Sequence, residues 1–127
     1  MIVADTHAFI WWMNNPRQLS HDALTALVEA DKIGIAAITC WEVALLHQRG
    51  RITIRGDVAQ WLHSATATEN VTVLPLSVEV AVRASRLPDV IRDPADRLIV
   101  ATALEHGTSL VTKDGRITGS ALVATIW

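Results

Sequence analysis

Apolar residues in this chain gather in short runs, and between the runs they recur every three or four positions. The runs are MIVA (1–4), KIGIAAI (32–38), VTVLPL (71–76) and TSLVT (108–112), with ALVATI (121–126) as a further candidate for an edge strand. Their near-continuous apolar character predicts strands buried on both faces. The intervening segments predict helices. THAFIWWMNN starts one at Thr6, and Asn15-Pro16 closes it. SHDALTALVEA takes Ser20 as cap and puts Leu24, Leu27 and Val28 on one face. TCWEVALLHQRG is capped by Thr39 and stopped by Gly50, and DVAQWLHSATA forms the next helix. SVEVAVRASRL starts at Ser77, and RDPADRLIVATAL leads a helix that ends at Gly107. Strands alternating with helices, with no strand-type two-residue alternation, predict one α/β domain around a mainly parallel sheet.

Composition narrows the classes. The chain has 127 residues, 50% hydrophobic and 19% charged, enough apolar material for a sizeable core. No apolar run approaches the ~20 residues of a membrane-spanning helix. The start, MIVADTHAF, lacks a basic leader and reaches an acid at Asp5, which argues against a signal peptide. One cysteine, Cys40, has no internal disulfide partner, so a reducing cytoplasm is the expected setting and packing its expected role. A net charge of −2 excludes a strongly basic clamp but allows a basic rim around an acidic centre.

The acids hold the chemistry. In a parallel sheet with right-handed crossovers, the carboxyl ends of the strands and the starts of the following helices share one edge, where ligands bind. Asp5 follows the first strand, and Glu42 stands in the first turn of the helix after the second. Asp93 and Asp96 open the helix that leads into the fourth strand, and Asp114 follows that strand in LVTKDG. Singly, most of these have a plain structural explanation. Thr39-x-x-Glu42 fits a capping box, Asp93-Pro94-x-Asp96 a well-made helix start, and Asp114-Gly115 a turn. Jointly they do not, because carboxylates crowded on one edge repel unless some are protonated or a cation is bound.

An all-oxygen donor set suits Mg²⁺ or Mn²⁺. The five histidines, His7, His21, His47, His63 and His106, show no paired zinc spacing, and His7 and His106 read as cap or surface residues. A divalent ion at such an edge would bind phosphate oxygens and activate water, which points to phosphodiester hydrolysis. Arg92, Arg97, Lys113 and Arg116 neighbour the acids and are the candidate substrate-binding cations. Arg49, Arg51 and Arg55 fall after the end of a helix and are expected farther away, at the helix C-terminus or on an extended nucleic-acid path. Of the adjacent Trp11 and Trp12, only one can face the core along a single stripe. The other is a candidate for a subunit interface, with base stacking the weaker option.

VADTHAFIWW, AAITCWEVALL, DPADRLIVATALEHGTSLVTKDGRI and the final ATIW together resemble the PIN-domain ribonucleases of the VapC toxin type, over essentially the whole chain. The resemblance implies a three-layer α/β/α sandwich and Mg²⁺- or Mn²⁺-dependent cleavage of RNA. It implies a homodimer held in check by a cognate antitoxin protein. It assigns Asp5, Glu42, Asp96 and Asp114 as the catalytic, metal-holding acids and Thr6 and Thr112 as hydroxyls lining the site, with Asp93 an extra acid.

Two other enzyme classes fit poorly. A receiver domain needs paired acids after the first strand and an acid after a middle one, and VADTH and VTVLPLS supply neither pattern. A haloacid-type phosphatase expects a second Asp where His7 stands. The remaining alternative is a PIN-like module that binds RNA or a partner protein without cutting.

Overall fold

Strand β1 (Ile2–Ala4) occupies the middle of the sheet, although it is the first element of the chain. The computed structural model describes residues 1–127. In chain order, α1 (Thr6–Asn14) and α2 (His21–Glu29) follow β1, and β2 (Ile33–Ala36), α3 (Ala37–Gln48) and α4 (Val58–Thr66) come next. After β3 (Val71–Leu74) the chain forms α5 (Val78–Ser85), α6 (Pro94–Glu105), β4 (Leu110–Val111), α7 (Gly115–Ser120) and β5 (Thr125–Ile126). The strand order is β3-β2-β1-β4-β5, and every neighbouring pair is parallel.

The two faces of the sheet explain the apolar runs. Ala4, Ile33, Ile35, Val71 and Val111 join Phe9, Leu27, Val43, Ile54 and Ala65 in one core cluster. Their strand neighbours Val3, Ala36, Leu74 and Leu110 join Ile91, Ile99, Val100 and Ile117 in another. Alternate residues of each strand thus feed opposite layers, and both layers are apolar. The result is the α/β/α sandwich expected. Gly34 sits where the strands crowd most: a Cβ there would lie 2.5 Å from Leu74 Cδ1 and 3.2 Å from Val3 Cγ2.

Several boundaries differ from the sequence reading. β2 ends at Ala36 and runs straight into α3, which leaves no loop for a polar cap. The cap position falls to Ala36, which has no side chain to cap with, and Thr39 lies inside the first turn, fully buried. The Thr39–Glu42 capping box therefore does not form. The stretch expected as one edge strand, 121–126, contributes only β5, and the unforeseen helix α7 precedes it. At the other edge, β3 exposes Thr72 and Val73. No helix is long and apolar enough to cross a membrane.

Candidate active site

The strand order reverses between β1 and β4, so the chain leaves the carboxyl ends of these two strands toward opposite sides, the place where a parallel sheet opens a crevice. A cleft of about 600 Å³ opens at this point, lined by Asp5, Thr6, His7, Trp11, Glu42, Asp93, Asp96, Lys113 and Asp114. Five carboxylates from four separate parts of the chain meet in it. The sequence reading had named all five.

Asp5 ends β1 and caps α1, its Oδ1 accepting the Ala8 N–H at 2.8 Å. Its own N–H donates to the Val111 carbonyl at 3.0 Å, which ties it to β4. Burial raises its pKa, partly offset by the Thr112 side chain and the Ala8 N–H, which favour the charged form. Thr112 is fully buried and accepts the Asp114 N–H at 3.0 Å, fixing the turn that follows β4. Asp114 in turn caps α7 through the Arg116 N–H at 2.8 Å.

Glu42 is held across the cleft. The Thr6 hydroxyl donates to Glu42 Oε1 at 2.5 Å. A hydroxyl has one proton, so the 3.3 Å pair between Thr6 and Thr39 runs the other way, Thr39 donating. Two buried threonines thus form a short relay that fixes one carboxylate oxygen and leaves Oε2 free. Burial raises the pKa of Glu42 as well, with Thr6 opposing and Asp93 adding to the rise.

Asp96 is strongly perturbed. Burial first, then the neighbouring charges of Asp93, Glu42, Asp114 and Asp5, push its pKa to about 7. Asp93 plays both roles that its sequence allowed, since its carboxylate caps α6 and also lines the cleft.

The candidate cations divide. Lys113 lines the cleft; Arg92, Arg97 and Arg116 do not. Arg97 is committed elsewhere, because its guanidinium spans the α5–α6 connection and donates to five backbone carbonyls. The contacts are Leu87 at 2.5 Å, Ile91 at 2.7 Å, Ala84 and Pro88 at 3.1 Å, and Ser85 at 3.4 Å. The carbonyls of the last turn of α5 and of the connection lie alongside the first turn of α6, and some of them, such as those of Leu87 and Ile91, take Arg97 as their hydrogen-bond donor. Conversely, Arg49 and Arg51 come closer than expected. With Trp41, Leu45 and Leu46 they line a groove of about 380 Å³ that shares Glu42 and Asp93 with the acidic cleft.

Two lining residues were not foreseen as such. His7 and Trp11 stand one helical turn apart on α1, rings 5.6 Å apart, and face the cleft. The signal lay in position: α1 starts directly behind Asp5, so residues spaced four apart from its first turn border the same edge. Trp11 and Trp12 both pack against the core cluster that contains Phe9, so the expectation that only one of them faces the core does not hold. Cys40 is half-buried and its thiol is pushed up by burial, as suits a packing residue.

No three His, Cys, Asp or Glu side chains are drawn tightly enough to form a ready-made metal cage. That still fits Mg²⁺, which keeps several waters and takes only one or two carboxylates. The donor set is oxygen alone, the cleft has room for those waters, and the raised pKa of Asp96 records an unneutralised cluster of negative charge. Mn²⁺ accepts the same donors.

Known proteins resemble this chain in sequence and in fold. The profile of the PIN domain matches residues 2–119. Ribonuclease VapC22 of Mycobacterium tuberculosis is 41% identical over 117 residues, 91% of this chain and 88% of that one. Among solved structures, a toxin-antitoxin complex from Klebsiella pneumoniae superposes with a TM-score of 0.70 at 23% identity, covering 98% of this chain and 97% of that one. VapBC2 from Rickettsia felis, bound to a DNA fragment from its promoter, gives 0.71 at 16% identity, with 98% and 97% covered. The structures speak to the fold; the profile and the 41% relative reach further, and by them the chain belongs to the PIN-domain family, in its VapC-type branch.

Proposed function

We propose that this chain is a Mg²⁺- or Mn²⁺-dependent endoribonuclease and the toxin of a toxin–antitoxin pair. The observation that carries the reading is the acidic cleft: four parts of the chain deliver carboxylates to one crevice, where burial, and then their mutual repulsion, lifts Asp96 to about 7. A structural helix cap has no need of four distant partners of like charge. Relationship to a named ribonuclease supports RNA as the substrate, and likeness to toxin-antitoxin complexes supports an antitoxin partner. By family resemblance the working form is a homodimer.

Asp5, Asp96, Asp114 and Glu42 would hold the ion. A divalent ion bound there supplies Lewis acidity toward a phosphate oxygen and makes water a better nucleophile at neutral pH. The rest is the work of the chain. Thr6 holds Glu42 so that its free oxygen faces the cleft, where it orients a water and accepts its proton. The raised pKa of Glu42 suits that task, since a carboxylate of ordinary acidity is a weak base. Asp5 and Asp114 are anchored as helix caps, so neither needs to reorder when substrate arrives. The groove containing Arg49 and Arg51 adjoins the cleft and offers a cationic path for the strand beyond the cut.

The test is cleavage of labelled single-stranded RNA by the purified protein. Activity should vanish in chelator and return with Mg²⁺ or Mn²⁺ but not with Ca²⁺ alone. Asp5→Asn and Asp96→Asn variants should fold and fail to cut. Cleavage that persists in chelator overturns the reading.

A further inference from the structure

Lys113 stands between Thr112 and Asp114 and lines a cleft that contains five carboxylates. It pairs with none of them. The only ion pair in the molecule is Arg83 with Glu105, at 2.7 Å and outside the cleft lining. The Lys113 ammonium lies instead over two indole rings, 5.9 Å from the centroid of Trp11 and 6.0 Å from that of Trp127. The rings are 5.7 Å apart and inclined at 56° to each other.

Three elements build this arrangement. Trp11 comes from α1, backed by His7 and packed against the core. Trp127 follows β5, which pairs with β4 at Val111 and Ile126. The Thr112 N–H donates to the Ile126 carbonyl at 3.2 Å, so Trp127 is delivered beside Lys113 by the sheet itself. Lysine has a flexible four-carbon stem, and without the rings its ammonium would settle on the nearest carboxylate. There it would neutralise the acids and compete with a divalent ion. Each ring offers an attraction of the same order as an exposed ion pair, and two rings act on the one ammonium.

We propose that Trp11 and Trp127 are positioning residues that hold Lys113 clear of the acids, as the anchor for a backbone phosphate of the bound RNA strand. The inference rests on the nuclease reading and deepens it, by separating cation-binding acids from a phosphate-binding cation within one cleft. The indoles act through Lys113; the ammonium makes the contact.

The experiment measures single-stranded RNA binding by fluorescence anisotropy, in Mg²⁺, across a range of salt. It uses the full chain in an Asp96→Asn background that does not cut. Lys113→Ala should weaken binding about five- to tenfold at low salt and reduce the slope of log K against log salt by about 0.7. Trp127→Leu should show the same loss of slope, Trp127→Phe should restore it, and Lys113→Ala/Trp127→Leu should be no worse than Lys113→Ala. Trp11→Phe and Trp11→Leu repeat the comparison on the other ring, with a melting curve for each variant.

A Trp127→Leu protein that melts earlier but keeps the parent slope overturns the positioning role. An unchanged slope in Lys113→Ala overturns the phosphate anchor, while RNA cleavage by the parent chain leaves the nuclease reading standing. If the parent neither binds nor cuts RNA, both fall together.

Discussion

The carboxylate of Asp93 accepts the backbone N–H of Asp96 at 2.9 Å. One acid starts the helix that sets the other in place, and its charge then raises the proton affinity of the side chain it has positioned. Helix start and electrostatic cluster are built from the same three-residue spacing.

This pair sets a pH dependence. The Asp96 pKa rises from 3.8 to about 7 on folding, so the folded chain binds a proton that the unfolded chain has released. Stability therefore falls as pH climbs from about 4, and the loss is complete above about 7. Asp96→Asn should stabilise the metal-free protein at pH 8 by an amount on the order of 1 kcal/mol once solvent screening is allowed for, or about 4 °C in melting temperature. The gain should shrink toward pH 4. Thermal melts in chelator at pH 4, 6 and 8 check it, and a gain independent of pH would show that charge is not the cause.

Thr6 supports Glu42 through its hydroxyl. Thr6→Val removes the donor and should leave the fold intact while lowering the cleavage rate by about tenfold or more, as loss of an orienting partner does. Thr6→Ser keeps the hydroxyl and should retain most activity. Equal losses in the two variants would point to packing of the buried Thr6 methyl instead.

Arg97 should behave as a structural residue. Arg97→Ala removes the guanidinium donors from five carbonyls at the end of α5 and in the α5–α6 connection and is expected to cost about 2–4 kcal/mol in urea unfolding. Arg97→Lys should recover little, because an ammonium cannot fork among partners spread this way. Neither variant should alter the salt dependence of RNA binding. A changed slope with unchanged stability would return Arg97 to the substrate.

Arg49 and Arg51 give a length-dependent outcome. If the strand runs from the cleft along their groove, Arg49→Ala/Arg51→Ala should lower the salt slope for a long single-stranded RNA by about 1.4, at roughly 0.7 per phosphate contact. Cleavage of an oligonucleotide too short to leave the cleft should be unaffected. Titrations with RNAs of graded length separate the two.

The acids were legible in the sequence because each sits where a strand ends or a helix begins, and topology collects those points on one edge. Fates of individual side chains were less legible. Thr39 fits a cap by spacing, yet β2 enters α3 without a loop and turns it inward to Thr6. Arg97 neighbours Asp96 in sequence, but helix periodicity points it to the α5–α6 connection and away from the cleft. Trp127 is separated from Trp11 by most of the chain, and only the β4–β5 pairing brings them together. Residues governed by local geometry could be placed from sequence; those governed by a distant partner could not.

The place of β1 has a consequence for how this molecule comes into being. Its hydrogen-bonded neighbours are one strand about thirty residues away and another more than a hundred away, at Leu110 and Val111. While the ribosome is still making the first two-thirds of the chain, Asp5 has neither Asp96 nor Asp114 to meet. In a nascent or truncated product the acidic cleft is therefore incomplete, and its carboxylates come together only when the late strand β4 pairs with β1.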